Sequence, residues 1–143
     1  MARCDSGYFC ETCGLYVESV IESELYLRYV MGEIPTEGLL TLPDRHIRCN
    51  AALAQYIVHE DFPPIVEDRP EHDKRRLDPA WVRDREDLVT RAWVRLRSLP
   101  ASGLDVRDYP LPDVKPPDAA AFFAAPAEAL PAKTPDPEGR IFF

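Results

Sequence analysis

The sequence predicts a small α+β protein: a head built from a β-hairpin and short helices, one long amphipathic helix, and an extended proline-rich tail. Three observations carry this. Cys10, Cys13, His46 and Cys49 form two close pairs within the first 62 residues. A helical apolar stripe runs through residues 78–99 between a capping residue and a proline. Nine of the fifteen prolines fall in residues 100–143. At 143 residues and 45% hydrophobic, the chain can bury one modest core, near the size at which small domains gain from a cross-linking staple.

The head is expected over residues 1–62. In "GYFCETCGLYVESV", Tyr8 and Phe9 enter a tight turn and Leu15, Tyr16 and Val17 leave it, as two short strands would. Ser23 is placed to cap a helix, "ELYLRYVM", with Gly32 as its stop and Leu25, Tyr26, Tyr29 and Val30 on one face. "PTEGLL" predicts a single further turn. Asn50 is placed to cap "AALAQYIV", with Leu53, Tyr56 and Ile57 turned to the core.

Residues 63–77 predict an extended connector, because Pro63, Pro64 and Pro70 lack the amide hydrogen that helices and central strands use. A helix packing on the head follows over 78–99. Asp78 caps it and Pro79 takes the first helical position. Val82, Leu88, Val89, Ala92, Trp93, Leu96 and Leu99 form its stripe, with Trp81 at the entrance. Asp87 and Arg91, four apart, add about 0.3 kcal/mol. The tail, 100–143, is too rich in proline for a ladder or a long helix, so it is expected to be extended and to lie against its own domain or a partner. Its large apolar anchors are Phe122, Phe123, Ile141, Phe142 and Phe143. These read as partner-binding groups, leaving the head and helix to fold without the tail.

Composition narrows the function. A net charge of −8 opposes general attraction to nucleic acid or anionic membrane. Residues 69–97 nevertheless hold nine Lys/Arg against six Asp/Glu, which leaves a locally basic face. No run approaches the roughly 18 apolar residues of a membrane span. "MARCDSGYFCETCG" lacks the apolar core of a secretory signal, so a cytoplasmic location is expected. In a reducing compartment, close cysteine pairs hold metal more often than they form disulfides.

The chemistry lies in C-x2-C-x32-H-x2-C. Two thiolates from one turn, Cys10 and Cys13, can grip a single ion, and Gly14 lets the backbone bend so that amides approach the sulfurs. His46 and Cys49 repeat the spacing just before the helix expected at Asn50, whose dipole would favour the Cys49 thiolate. Three sulfurs and an imidazole suit tetrahedral zinc, and four protein ligands mark a structural ion. Cys4 is the alternative to His46. The His46 set is favoured because it pairs with Cys49 as Cys10 pairs with Cys13. Over about residues 4–58 the arrangement resembles the treble-clef and zinc-ribbon structural class, a resemblance that carries no activity with it.

The remaining motifs are weaker. His59 and His72 sit in acidic surroundings and read as solvated surface, the tyrosines of "LYLRY" as core, and "DKRR" as a solvated basic run. No glycine-rich phosphate loop, G-x-S-x-G elbow or H-E-x-x-H is present. Seven Cys and His in total are too few for a RING module with two sites. "DRHIRCN" raises an HNH-like nuclease, but the candidate base is more useful to zinc and no second histidine follows in the helix. The leading expectation is a non-catalytic accessory protein, docking a zinc-stapled head and a tail onto a larger protein assembly. A nucleic-acid-binding zinc module using Arg83, Arg91 and Arg95 is the alternative.

Overall fold

The structure, a computed structural model, describes residues 8–124. It is mixed and helix-rich, with one short hairpin. Strands β1 (Tyr8–Phe9) and β2 (Tyr16–Val17) pair antiparallel, Phe9 opposite Tyr16. Five helices follow: α1 (Glu24–Val30), α2 (Gly38–Thr41), α3 (Ala51–Ala54), α4 (Pro79–Ser98) and α5 (Ala119–Ala124). Short 3-10 turns at Val20–Glu22, Ile47–Cys49, Lys74–Arg76, Leu99–Ala101 and Val106–Asp108 connect them.

Helix α1 is the centre of the molecule. The Ser23 hydroxyl accepts from the Tyr26 amide (3.0 Å), as the sequence predicts for a cap. Apolar burial is not confined to one face: Leu25, Leu27, Tyr29 and Val30 are all fully enclosed, and only Arg28 reaches toward water. A seven-residue helix with so little exposed surface owes its stability to packing and little to propensity. Its main neighbour is α4, which buries Val82, Val89, Ala92, Trp93 and Leu96, while Leu88 is only half-buried. Asp78 caps α4 through the Trp81 amide (3.0 Å), and Arg91 meets Asp87 at 2.9 Å, both as expected. Trp81 is half-exposed, its ring edge-on to Tyr56 with centroids 5.9 Å apart.

The helix expected over "AALAQYIV" is a single turn. Leu53, Tyr56 and Ile57 do face the core, but the ladder gives way to tertiary hydrogen bonds. The Gln55 side chain donates to the Ala52 and His72 carbonyls and accepts from the Lys74 amide, while Lys74 Nζ donates to the Gln55 carbonyl (2.7 Å). Thr90 on α4 donates to the Tyr56 carbonyl and accepts from the Val58 amide. Partners on the connector and α4 thus take up groups that a longer helix would use. Asn50 is no side-chain cap either; its amide donates to the buried Glu24 carboxylate at 2.8 Å. "DKRR" is likewise not simply solvated, since Lys74 also meets Glu86 at 2.7 Å and Arg75 meets Asp73 at 2.8 Å.

The start of the tail returns to its own domain. Tyr29 donates to the Val106 carbonyl (3.0 Å), the Leu111 amide donates to the Val30 carbonyl (3.0 Å), and Leu111 is buried. Arg95 on α4 donates to the carbonyls of Asp108 and Tyr109. Residues 104–115 therefore strap α1 to α4, which corrects the expectation that the head and helix are complete without the tail. Proline supports such a strap by limiting the chain's freedom before it docks. Of the expected anchors, Phe122 packs against the core and Phe123 stays half-exposed. Ile141, Phe142 and Phe143 lie outside the described residues.

Two changes test the strap. A chain ending at Gly103 loses the burial of Leu111, worth roughly 1.5–3 kcal/mol, together with the strap's hydrogen bonds, so it should melt well below the full chain. Gly32 holds φ +83°, and a Cβ there would lie 2.8 Å from the Val114 side chain. Gly32→Ala should cost about 2 kcal/mol or more in chemical denaturation, from left-handed strain plus the clash. Unchanged midpoints for both variants would show that the strap does not support the fold.

Candidate metal centre

The hairpin turn builds the first half of the site. The Cys10 amide donates to the Leu15 carbonyl (2.7 Å) and the Gly14 amide to the Cys10 carbonyl (2.9 Å), closing a tight loop. Gly14 sits at φ +80° with nothing within 4 Å of the position a Cβ would take, so glycine is required by backbone conformation and not by space. The loop turns two amides, those of Thr12 and Cys13, onto the Cys10 sulfur at 3.4 Å each.

The second half is fixed by Asp44. This buried carboxylate accepts from the Ser23 hydroxyl (2.8 Å), the Leu25 amide (3.2 Å) and the Arg45 amide (2.7 Å). Its backbone carbonyl accepts from the Glu11 amide in the hairpin turn (3.1 Å). The Arg45 carbonyl accepts from the Glu24 amide (2.9 Å), and Ser23 and His46 form an isolated antiparallel bridge. The segment carrying His46 is thereby tied both to the start of α1 and to the cysteine turn.

The result is a four-donor cluster: the ligand atoms of Cys10, Cys13, His46 and Cys49 all lie within 4.8 Å of one another. His46 Nδ1 stands 3.4 Å from the Cys13 sulfur and 3.8 Å from the Cys49 sulfur. A tetrahedral zinc site, with bonds of about 2.3 Å to sulfur and 2.0–2.1 Å to nitrogen, spaces sulfur and nitrogen about 3.6 Å apart. His46 Nε2 lies 2.6 Å from the Tyr16 carbonyl, so it carries the proton and leaves the Nδ1 lone pair facing the sulfurs. The three described cysteines are free thiols. The donor set fits a metal ion, and among the described residues it is the one such cluster.

Electrostatics favour a cation here. Burial opposes ionising Cys10, but amides of Cys13, His46 and Thr12 outweigh it and bring its pKa down to about 6. Cys49 is pushed up to about 12 by burial and by the neighbouring Cys10 and Cys13 sulfurs. For His46, burial would lower the pKa, yet the Cys10 sulfur and Tyr16 carbonyl raise it. The crowded sulfurs thus oppose a charge on Cys49, and a positive ion between them would relieve that opposition. This corrects the expected role of a helix dipole at Cys49. That residue ends a 3-10 turn and precedes only a four-residue helix.

Of the sequence-predicted ligands, these four come together, while Cys4 lies outside the described residues. His59 packs edge-on to Trp93, with ring centroids 5.1 Å apart, and His72 lends its carbonyl to Gln55; neither joins the cluster. Sequence reasoning missed Asp44 and the Tyr16 carbonyl. Asp44 stands two residues before His46, but its bonding partners on α1 are some twenty positions back, and no local pattern marks them.

Asp44→Ala would leave three donors unpaired in the interior and should destabilise by about 3 kcal/mol, with weaker metal retention. Asp44→Asn keeps an oxygen for the two amides and should cost less than half as much. Gly14→Ala should add about 1–2 kcal/mol of backbone strain. Denaturant titration with metal analysis on each protein checks the order Ala above Asn at position 44. Equal effects of the two would remove Asp44 as the organiser.

The chain matches no family model, and comparison with curated proteins and with solved structures finds no match. The site therefore rests on its own geometry: a Cys3His cluster compatible with zinc, in a chain whose described residues include no helix long and apolar enough to cross a membrane.

Proposed function

We propose that Cys10, Cys13, His46 and Cys49 hold one structural zinc ion, stapling a treble-clef- or zinc-ribbon-like head, and that the protein is a non-catalytic module that docks onto a larger protein assembly. The observation that carries this is the donor count. Four protein ligands complete the tetrahedron that zinc prefers, leaving no position for water or substrate. A hairpin of two residues per strand is too small to hold itself together, so a metal that ties its turn to the α1 segment has clear structural value.

The competing readings each meet an obstacle. For a nuclease, His46 faces the sulfurs and Asn50 is engaged by Glu24, so neither is available to a reacting phosphate. For a nucleic-acid module, Arg91 is bound by Asp87 and Asp113, and Arg95 by two backbone carbonyls.

Metal analysis of protein purified without added zinc should give about one zinc per chain. Cys13→Ser, at the most exposed ligand, should lose that metal and several kcal/mol of stability, since structural zinc contributes folding energy directly. His46→Ala should match it, while Cys4→Ser should be mild. A severe Cys4→Ser effect beside a mild His46→Ala effect would move the fourth ligand to Cys4. Metal-free protein of undiminished stability would end the zinc reading. For docking, the full chain should migrate in native extract within a complex much larger than itself, and migration as a free monomer would end that part.

A further inference from the structure

Among the described residues, the outer face of the hairpin is left open to water. Val17 and Cys10 point inward and are buried, and Leu15, which lies opposite Cys10 at the hairpin tip, alternates to their side; Phe9 and Tyr16, paired on the other side, are 62% and 47% exposed. The Phe9 and Tyr16 rings stack on one another, with centroids 4.4 Å apart and planes inclined by 24°. Ile21, also exposed, sits on the 3-10 turn that follows β2. That turn lies beside the strand, because Glu22 approaches His46 Nε2 (3.9 Å), which in turn meets the Tyr16 carbonyl. Polar side chains at these positions would leave the buried face unchanged. A stacked aromatic pair left open to water, with an exposed isoleucine on the turn that follows, marks an interaction site.

Charge on the surface says what kind of partner. Residues 9–22 contain three glutamates and no lysine or arginine. Glu18 directly follows β2 and Glu22 ends the next turn, and both are exposed. Stacked aromatics would also suit unpaired bases, but an acidic rim repels the phosphates that come with them. It attracts lysine and arginine flanking apolar side chains, and it would set the orientation and association rate of such a partner.

We propose that the outer face of the β1–β2 hairpin docks a basic, amphipathic segment of a protein partner, with Phe9, Tyr16 and Ile21 receiving its apolar side chains and Glu18 and Glu22 its cations. This rests on the reading of the protein as an interaction module and names the surface that performs it. Helix-in-groove and short-segment recognition commonly combine an apolar anchor with flanking charge in this way.

The test uses the full zinc-loaded chain and three labelled peptides followed by fluorescence anisotropy: an amphipathic leucine/lysine helix, its leucine/glutamate counterpart, and an oligolysine of equal charge. The leucine/lysine peptide should bind at least about tenfold more tightly than either of the others and weaken as salt rises. Phe9→Ser and Glu18→Lys, neither a metal ligand, should each lower that affinity about tenfold with zinc content unchanged. Equal binding of oligolysine, or full affinity in Phe9→Ser, would overturn the proposal. So would retention of a single-stranded oligonucleotide that Phe9→Ser abolishes, which would make the face a base-stacking surface. Concentration-dependent self-association lost in Phe9→Ser would overturn it in favour of a second copy of this chain. Metal content, read in the same samples, separates the two readings. Zinc-free protein that still selects the leucine/lysine peptide would sink the zinc staple alone, and zinc-bound protein without selectivity would sink the docking surface alone.

Discussion

The fold depends on a buried carboxylate. Asp44 takes the amides of Leu25 and Arg45 and the hydroxyl of Ser23, and its backbone carbonyl takes the Glu11 amide. Burial raises its pKa, and the three donors oppose that rise. An anion enclosed this way is stable only while its donors stay in place, so the 44–46 segment cannot move independently of α1. Helix α1 in turn is held by α4 and by the strap that follows it. The geometry at His46 is therefore set by the core, even though the donor cluster it joins includes the exposed Cys13.

Charge divides the labour between core and cluster. Protein dipoles alone satisfy the one sulfur that is both buried and amide-bound, Cys10. Burial and the Cys10 and Cys13 sulfurs push the Cys49 thiol up, an opposition that a cation between the sulfurs would relieve. A staple of this type contributes most to the part with the weakest packing of its own. Here that part is the hairpin, whose outer face is open while α1, α4 and the strap already share an apolar core.

What could be read from the sequence follows the range over which each signal acts. The Ser23 and Asp78 caps, the α4 stripe and the cysteine turn with Gly14 are set by residues a few positions apart, and all formed as read. The length of the helix after Asn50 was misread because Gln55, Lys74 and Thr90 act across long separations to take over its hydrogen-bonding groups. Proline counts predicted an extended tail, but its described part carries a 3-10 turn at Val106–Asp108 and, where the prolines pause, a helix at Ala119–Ala124, and they gave no sign of where it lies. Its docking depends on a single buried leucine and on backbone carbonyls, which leave no periodic trace. His59 looked like surface in an acidic run, yet Trp93, more than thirty positions away, covers one side of it.

The same long-range pairing decides what the surface can offer. Composition gives residues 69–97 an excess of cations, and a linear reading makes that stretch a basic face. In the folded chain Arg85 is turned to Glu33, Arg91 to Asp87 and Asp113, Arg95 to carbonyls of the strap, and Arg97 to Asp61 and the face of Trp93. Exposed ion pairs of this kind add little stability each, but they neutralise the charges that would attract phosphate. Four of these cations are thus drawn into pairings that join α4 to the head and strap, while Arg76 and Arg83 stay exposed. On the hairpin no cation accompanies the glutamates of residues 9–22, and the aromatic surface there keeps an acidic rim. The three glutamates of that stretch thus stay unmatched by any lysine or arginine within it, where the chain also leaves its stacked rings open to water.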